Sequence, residues 1–490
     1  MKNIETFFPA SPLQKGFIYH TLLDPDSGGY IVQFSCKLAG PLDVLNMQVA
    51  WAKIIARHSV LRSEFLIEDV EEYIQVVRKH VEVPLENVDW THLETSKQEQ
   101  LLLEFLENDR KRGFDITQAP LLRVTLFHLH DQSYQMVWSC HHLLVDGWSI
   151  SIILKEYFEC YEALVCNLPI HLPQVRPYRD YIVWINRQDK WKAEEFWRNE
   201  LREFKVSTPL PLERFKSNDF NRPGRFTEKE IHLSGSLTQK LNQFTKQHQL
   251  TLNTVIQGAW AFMLSRFSGE TDIVFGVTGS GRPTEIAKVE YMVGMFINTL
   301  PFRIHIDTKL SIYNWLQEIQ MRNLELRQYE YCSLVDIQGW SEIPRGTRMF
   351  ETIYVFENYP TSTSDTLDSN TGIEIKEVQG IEQTNYPLSL VAMPGKQIGL
   401  KILYDGNLID ESSVDRIIAY LNQLLLAITL QIHEPLGTLS ILTEEENELV
   451  TEQWNHTGTA YPREHSVHEL FEEQAARTPD AAAVVFEDVT

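Results

Sequence analysis

Between Tyr30 and Leu38 the apolar side chains Tyr30, Val32, Phe34, Cys36 and Leu38 alternate with Gln33, Ser35 and Lys37. This period of two predicts a strand with one buried face. Just upstream, Ser11-Pro12-Leu13-Gln14 supplies a capping hydroxyl, a proline at the first helical position and a glutamine three residues after the cap, a helix start. That helix is expected to reach Leu23 and stop at Asp24-Pro25-Asp26-Ser27-Gly28-Gly29. A second helix is expected over residues 42–58.

Residues 121–130 and 133–142 are two β-rich runs around Asp131-Gln132. They are expected to pair as a hairpin whose second strand ends in His141-His142. Beyond them Ile150, Ile153, Leu154, Tyr157, Tyr161, Leu164 and Val165 fall at the three-and-four spacing of an amphipathic helix. The order is therefore strand, short polar loop, helix.

Residues 168–177 contain Pro169, Pro173 and Pro177, which disfavours regular structure and suggests a connection between two lobes. The second half begins with a helical stretch, Tyr178 to Phe204, whose Trp184, Trp191 and Trp197 are expected to pack. Helices near 236–266 precede a strand, Asp272 to Thr278, that ends in Gly279-Ser280-Gly281-Arg282-Pro283. Strands near 350–357, 373–378 and 398–404 and a helix at 411–431 are expected to complete a mixed α/β lobe. After Glu434 the chain turns acidic and polar, as a linker does.

The chain has 490 residues, enough for two buried cores. Its 44 basic against 67 acidic side chains give a formal charge of −23, which disfavours a nucleic acid partner and attraction to an anionic membrane surface. No uninterrupted apolar run approaches the roughly 18 residues needed to cross a bilayer. The N-terminus shows no basic segment followed by an apolar stretch, so a cytosolic location is expected. Cys36, Cys140, Cys160, Cys166 and Cys332 form no C-x-x-C pair, and neither a disulfide framework nor a zinc site is predicted.

The candidate chemistry lies in His141-His142-Leu143-Leu144-Val145-Asp146-Gly147, which puts imidazole, carboxylate and glycine in one loop. Residue types alone leave two readings open: a reaction centre, or two satisfied polar histidines at a strand end. A metal reading lacks a third and fourth ligand at compatible spacing. A serine hydrolase elbow is poorly matched, because Thr278 stands where G-x-S-x-G needs its first glycine. No phosphate-cradling glycine motif is present.

Together with its neighbours, His141-His142-x-x-x-Asp146-Gly147 resembles the condensation domain of nonribosomal peptide synthetases. Ser11-Pro12-Leu13-Gln14-Lys15-Gly16, Arg57 to Phe65, Tyr178-Arg179-Asp180-Tyr181, Gly279 to Pro283, Val293 to Pro301 and Tyr331-Cys332-Ser333-Leu334 resemble further motifs of that family, in its order. The resemblance covers residues 7–435, and residues 466–490 resemble the opening of an adenylation domain. It implies an α/β fold of two chloramphenicol-acetyltransferase-like lobes in a V-shaped pseudo-dimer with a tunnel between them. The expected divisions are 1–175 and 176–435 for the lobes, 436–465 for a linker and 466–490 for a truncated adenylation domain.

The implied activity is amide-bond formation between a carrier-bound donor thioester and a carrier-bound L-aminoacyl thioester acceptor. Upstream donor and downstream acceptor carrier domains and an adjacent adenylation domain are the implied partners. The domain itself would bind no cofactor and no metal, since the substrates ride on 4′-phosphopantetheine, and the excised piece is expected to be monomeric. His142 is implied to contact the attacking amine. Gly147 would allow close substrate approach and offer its amide to an oxyanion. Asp146 is implied to pair with Arg62 and, with His141, to brace the loop. Trp148 and Ser149 are expected to start the next helix and, with Arg282 and Asn298, are candidates for the tunnel wall; bracing is an equal reading for the last two. The run Ser27 to Gln33, with Tyr329-Glu330-Tyr331 and Ile337 to Ser341, resembles the subtype that takes a D-configured donor. The alternatives are an epimerisation domain, an acyltransferase of the same fold using free coenzyme A, and a non-catalytic carrier-docking platform. Gly147-Trp148-Ser149 disfavours the first, and the two histidines disfavour a cyclisation domain.

Overall fold

The computed structural model describes residues 3–23, 28–210, 226–358, 371–381, 386–460 and 462–485. The expected helix stop at Asp24 to Ser27 and the last residues of the adenylation-like stretch, 486–490, lie outside them. Two units separate, Met1–Ile441 and Leu442–Thr490.

The first half folds in the order β1 (Ile4–Pro9), α1 (Pro12–Leu23), β2 (Ile31–Ala39), α2 (Val44–Arg57), β3 (Ser63–Leu66), β4 (Ile74–Arg78), β5 (Leu85–Asp89), α3 (Thr95–Arg112), β6 (Leu122–His128), β7 (Ser133–His141) and α4 (Gly147–Val165). The hairpin predicted around Asp131-Gln132 is present. Leu122 faces Cys140 at one end and His128 faces Tyr134 at the other. Both turn residues have positive φ, 51° and 56°, as a tight hairpin with right-handed strand twist requires. Strand β2 lies against β7 with Ile31 opposite His141, which brings Tyr30 beside the histidine loop.

The expected alternation of β2 is only half of its environment, because Gln33 and Ser35 are buried as well as Val32, Phe34 and Cys36. The polar face is covered by α3, which the sequence pattern had not marked. Gln33 donates to Asp109 Oδ2 at 2.8 Å and accepts from Arg110 Nη1 at 2.7 Å. Its burial is thus matched by hydrogen bonds.

The second half runs α5 (Arg179–Ile185), α6 (Lys190–Glu200), β8 (Phe226–His232), α7 (Gly235–His248), α8 (Leu252–Ser268), β9 (Asp272–Gly279), β10 (Asn298–His305), α9 (Ile312–Arg327), α10 (Leu334–Trp340), β11 (Thr352–Phe356), β12 (Glu374–Ile381), β13 (Leu388–Met393), β14 (Gly399–Asp405) and α11 (Glu411–Leu430). Six strands form one sheet in the order β10-β9-β11-β13-β14-β8, with β11 parallel to both its neighbours. By length and composition α11 could cross a membrane. Its Val414, Ile417, Leu421, Leu424, Leu425 and Ile428 are instead buried in the second core.

The halves are interleaved rather than divided at residue 175. Strand β12 was expected to complete the second lobe, yet it pairs with β2 in the first-lobe sheet, order β12-β2-β7-β6-β5. Tyr178, Tyr181 and Ile182 of α5, and Ile286 to Phe296 from the stretch between β9 and β10, belong to the first core. The second core begins with Ala193 and Trp197. Of the three tryptophans expected to pack, Trp197 is fully buried, whereas Trp191 is 82% exposed. The expected linker start at 436 also shifts, since Leu436 and Leu439 still belong to the second core.

In the second unit, the helices Glu444–Glu448 and Val467–Arg477 are capped by Thr443 and Ser466, each in a capping box with Glu446 and Glu469 respectively. None of their residues is buried.

Candidate active site between the lobes

Strand β7 ends at His141, and Asp146 caps α4. Asp146 adopts an extended backbone (φ −104°, ψ 174°) and accepts from Ser149 N at 2.8 Å, the usual way to satisfy a first-turn donor. The helix starts at Gly147, one residue before the expected Trp148 and Ser149, which lie in its first turn. The loop between is short and held at both ends.

His142 N donates to Tyr30 O at 2.7 Å. Its Nδ1 lies 2.7 Å from Val145 O. A carbonyl only accepts, so Nδ1 carries the proton and Nε2 of the neutral ring is a proton acceptor. The ring is half-buried beside Phe17, centroids 5.5 Å apart.

His141 is the opposite case, fully buried. Its Nδ1 accepts from Leu143 N at 3.1 Å, which leaves Nε2 to donate to Thr21 Oγ1 at 3.2 Å. Burial, reinforced by the neighbouring His142, pulls its pKa down to about 3. The ring is a neutral brace.

Asp146 does not pair with Arg62, contrary to the expectation drawn from the resemblance. Arg62 turns the other way, donating to Glu5 Oε2 at 2.6 Å and Ile55 O at 3.2 Å. The partner of Asp146 is Arg282, whose Nη2 lies 3.2 Å from Oδ1, with the two side chains only 4% and 2% exposed. Asp146 Oδ2 also accepts from Phe296 N at 3.1 Å and Ile297 N at 3.3 Å. Arg282 Nη1 donates to Val289 O and Met292 O at 2.8 and 2.7 Å, and its guanidinium lies 4.1 Å from the Phe296 ring centre. Burial lowers the Arg282 pKa and the Asp146 charge opposes that.

Ser149 Oγ donates to Gly294 O at 2.8 Å and accepts from Gly294 N at 3.1 Å and Arg282 Nη2 at 3.0 Å. The crossing segment is therefore stitched to the head of α4. At Gly294 the same segment also packs against Tyr178, where a Cβ would fall 2.1 Å from Tyr178 Cδ2.

A cavity of about 910 Å³ lies between the lobes. His142, Gly147, Phe17 and Tyr30 line it from the first lobe, and Asn298, Thr278, Phe350 and Val391 from the second. Of the four residues expected on the tunnel wall, only Asn298 is there. Ser149 and Arg282 are buried in the clamp, and the Trp148 indole N–H is engaged with Glu290 O at 3.0 Å. Asn298 is also a brace, donating to Glu330 O and Cys332 O at 2.7 and 2.6 Å. Gly147, as the first residue of α4, lies where backbone N–H groups lack a helical acceptor. Among the described residues no group of three His, Cys, Asp or Glu side chains is placed to hold a metal.

The family profile described as "condensation domain" matches residues 4–451. The chain belongs to the condensation-domain family. A linear gramicidin synthase of Brevibacillus parabrevis is 44% identical over 488 residues, covering 100% of this chain and 10% of the relative. Bacitracin synthase 3 of Bacillus licheniformis is 34% identical, covering 99% of the chain and 8% of the relative. This condensation domain thus spans about a tenth of the curated relatives it matches. Among solved structures, a four-domain nonribosomal peptide synthetase bound to AMP and glycine superposes with a TM-score of 0.75 at 18% identity, over 98% of this chain and 37% of that one. The first condensation domain of the calcium-dependent antibiotic synthetase superposes with 0.73 at 16% identity, over 90% and 100%. At these identities the likeness shows the fold, the two-lobed acetyltransferase-like architecture expected from the motifs. Condensation domains of nonribosomal peptide synthetases form amide bonds, so this condensation domain is an acyltransferase-type enzyme.

Proposed function

We propose that this condensation domain joins a D-configured peptidyl or aminoacyl thioester donor to an L-aminoacyl thioester acceptor. Both would be held on 4′-phosphopantetheine arms of separate carrier domains in a longer synthetase. The observation that carries the reading is His142 in the wall of an inter-lobe cavity, with Nδ1 tied to Val145 O and Nε2 left as acceptor. Family membership supports the amide chemistry. The runs Gly28 to Gln33, Tyr329 to Tyr331 and Ile337 to Ser341 support the donor configuration; Ser27, which opens the first of these, lies outside the described residues.

In this reaction the acceptor nitrogen attacks the donor carbonyl carbon, and the C–N bond forms while the carbonyl pair moves to oxygen. The ammonium proton made acidic by that step passes to His142 Nε2. Collapse breaks the C–S bond and releases the donor arm as thiolate, which takes the proton back. The Gly147 amide would face the oxyanion. An α-amine has a reference pKa of about 7.7–8.0, so an appreciable fraction, roughly a quarter to two-fifths, is already neutral near pH 7.5. The gain from His142 is therefore expected between about ten-fold and 10⁴-fold, set by the balance of orientation and proton transfer.

The test loads separate carrier proteins with D- or L-donor and L-acceptor and follows dipeptidyl-carrier formation by intact mass. Product from the D-donor in preference, with loss of rate in His142→Ala, is the expected result. Equal rates for both enantiomers would remove the subtype, and an unchanged rate in His142→Ala would remove the role of the imidazole. Transfer from free coenzyme A thioesters at a comparable rate would favour a carrier-independent acyltransferase instead.

A further inference from the structure

Gln14 stands at the start of α1 and is fully buried, an unusual place for a primary amide unless every polar atom has a partner. Each does. Oε1 accepts from Ser11 N at 2.9 Å, closing the helix cap, and Nε2 donates to Gln75 Oε1 at 3.0 Å and to Leu143 O at 2.8 Å. Gln75 in turn donates to Ser63 Oγ at 2.8 Å. A line of hydrogen bonds therefore runs from the sheet β1-β4-β3 into the histidine loop, and it enters at the residue next to His142.

The position of entry matters. Leu143 N is held by His141 Nδ1 and Leu143 O by Gln14, so both peptide units flanking this residue are fixed. Two residues on is Val145, whose carbonyl holds His142 Nδ1. Without the Gln14 donor, a buried carbonyl loses its partner, and the peptide after Leu143 gains a reason to turn. Such a turn displaces Val145 O, and with it the feature that selects the Nδ1–H tautomer.

We propose that Gln14 is a positioning residue for the reaction: it holds the loop so that Val145 O keeps His142 in the tautomer and orientation that leave Nε2 as acceptor. The proposal rests on the role given to His142 above, but its spectroscopic arm does not depend on activity.

The experiment uses the 490-residue chain and the variant Gln14→Met, close in volume to glutamine but without its donors. Histidine-¹⁵N-labelled protein gives the ring tautomers by two-bond proton–nitrogen correlation, with His142→Gln identifying the His142 signal. Carrier-loaded donor and acceptor give kcat and KM at a temperature where every protein is folded. The expected result is a His142 signal that moves from a single Nδ1–H form to a tautomer mixture. With it, kcat should fall about ten- to a hundred-fold, the range a misplacement of about 1 Å can produce, while KM stays within about two-fold. Ser63→Ala, two bonds back along the same line, is expected to lower the melting temperature and leave kcat and the His142 signal as in wild type. Should Gln14→Met not fold, Gln14→Asn, which withdraws the amide by one methylene, is read in the same way. An unchanged His142 signal overturns the proposal whatever the activity. A loss of kcat equal in Ser63→Ala and in the Gln14 variant overturns it too, because it reduces Gln14 to general stability. A tautomer mixture with wild-type kcat would instead count against the role of His142 itself.

Discussion

Replacing Arg282 with methionine should destabilise this domain by about 3–5 kcal/mol, the usual cost of leaving one member of a buried ion pair without its partner. The magnitude follows from what the guanidinium does. It is the counter-charge for a carboxylate almost out of contact with water, and it also serves Ser149 Oγ, Val289 O and Met292 O. Methionine keeps the apolar stem near the Phe296 ring but restores none of those donors. Asp146→Asn alone is expected to cost several kcal/mol by the same logic. The double variant contains neither buried charge, so its loss should fall short of the sum by about 1–3 kcal/mol. Asp146 and Arg62, by contrast, share no contact, since Arg62 is engaged with Glu5 and Ile55 O. Their losses should add to within about 0.5 kcal/mol. Urea unfolding followed by tryptophan fluorescence gives all the corners of both cycles. A loss below about 1 kcal/mol in Arg282→Met, or coupling of Asp146 with Arg62 instead of Arg282, would refute the reasoning.

The remaining expectations concern the same loop and its clamp. His141 has a folded pKa of about 3 against an ordinary 6.5, so between those values the unfolded chain binds a proton that the folded chain does not. Stability is therefore undiminished above pH 6.5 and falls as pH drops towards 3, by about 1.4 kcal/mol per unit. Urea midpoints at pH 7 and pH 5 should show a contribution of about 2 kcal/mol from this group, which disappears in His141→Asn; equal pH slopes in the two proteins would argue against it. Gly294→Ala should cost at least about 1–3 kcal/mol through overpacking, because the new Cβ would sit 2.1 Å from the buried Tyr178 ring. Shrinking that ring in Gly294→Ala/Tyr178→Leu should recover part of the loss, and a melting curve distinguishes the outcomes.

Some of the site was legible before any fold was known because it is local. The helix after the histidine loop was marked by its three-and-four spacing, and the hairpin before it closes through Asp131-Gln132, where the turn was expected. Neighbours in sequence have few ways to meet, so residue type and spacing suffice. The place of His142 at the end of a strand was legible for the same reason, and the chemistry proposed for it comes from the family motif.

The tertiary structure decided the rest, and the reason is distance along the chain. Arg62 and Arg282 are both arginines in matching motifs, and nothing in either segment says which will reach Asp146. The choice is made by a crossing segment that joins the core of the other lobe and carries Phe296 and Ile297 amides to the same carboxylate. Strand β12 looked like any second-lobe strand until its pairing with β2 placed it elsewhere. Gln33 and Ser35 read as a solvent face, yet both are buried, Gln33 bonded to Asp109 of α3 and Ser35 to Gln135 of β7. A sequence determines which faces must be buried and which polar atoms must find partners. Which distant element meets those needs is set by the packing of the whole chain, where one choice satisfies the most groups together.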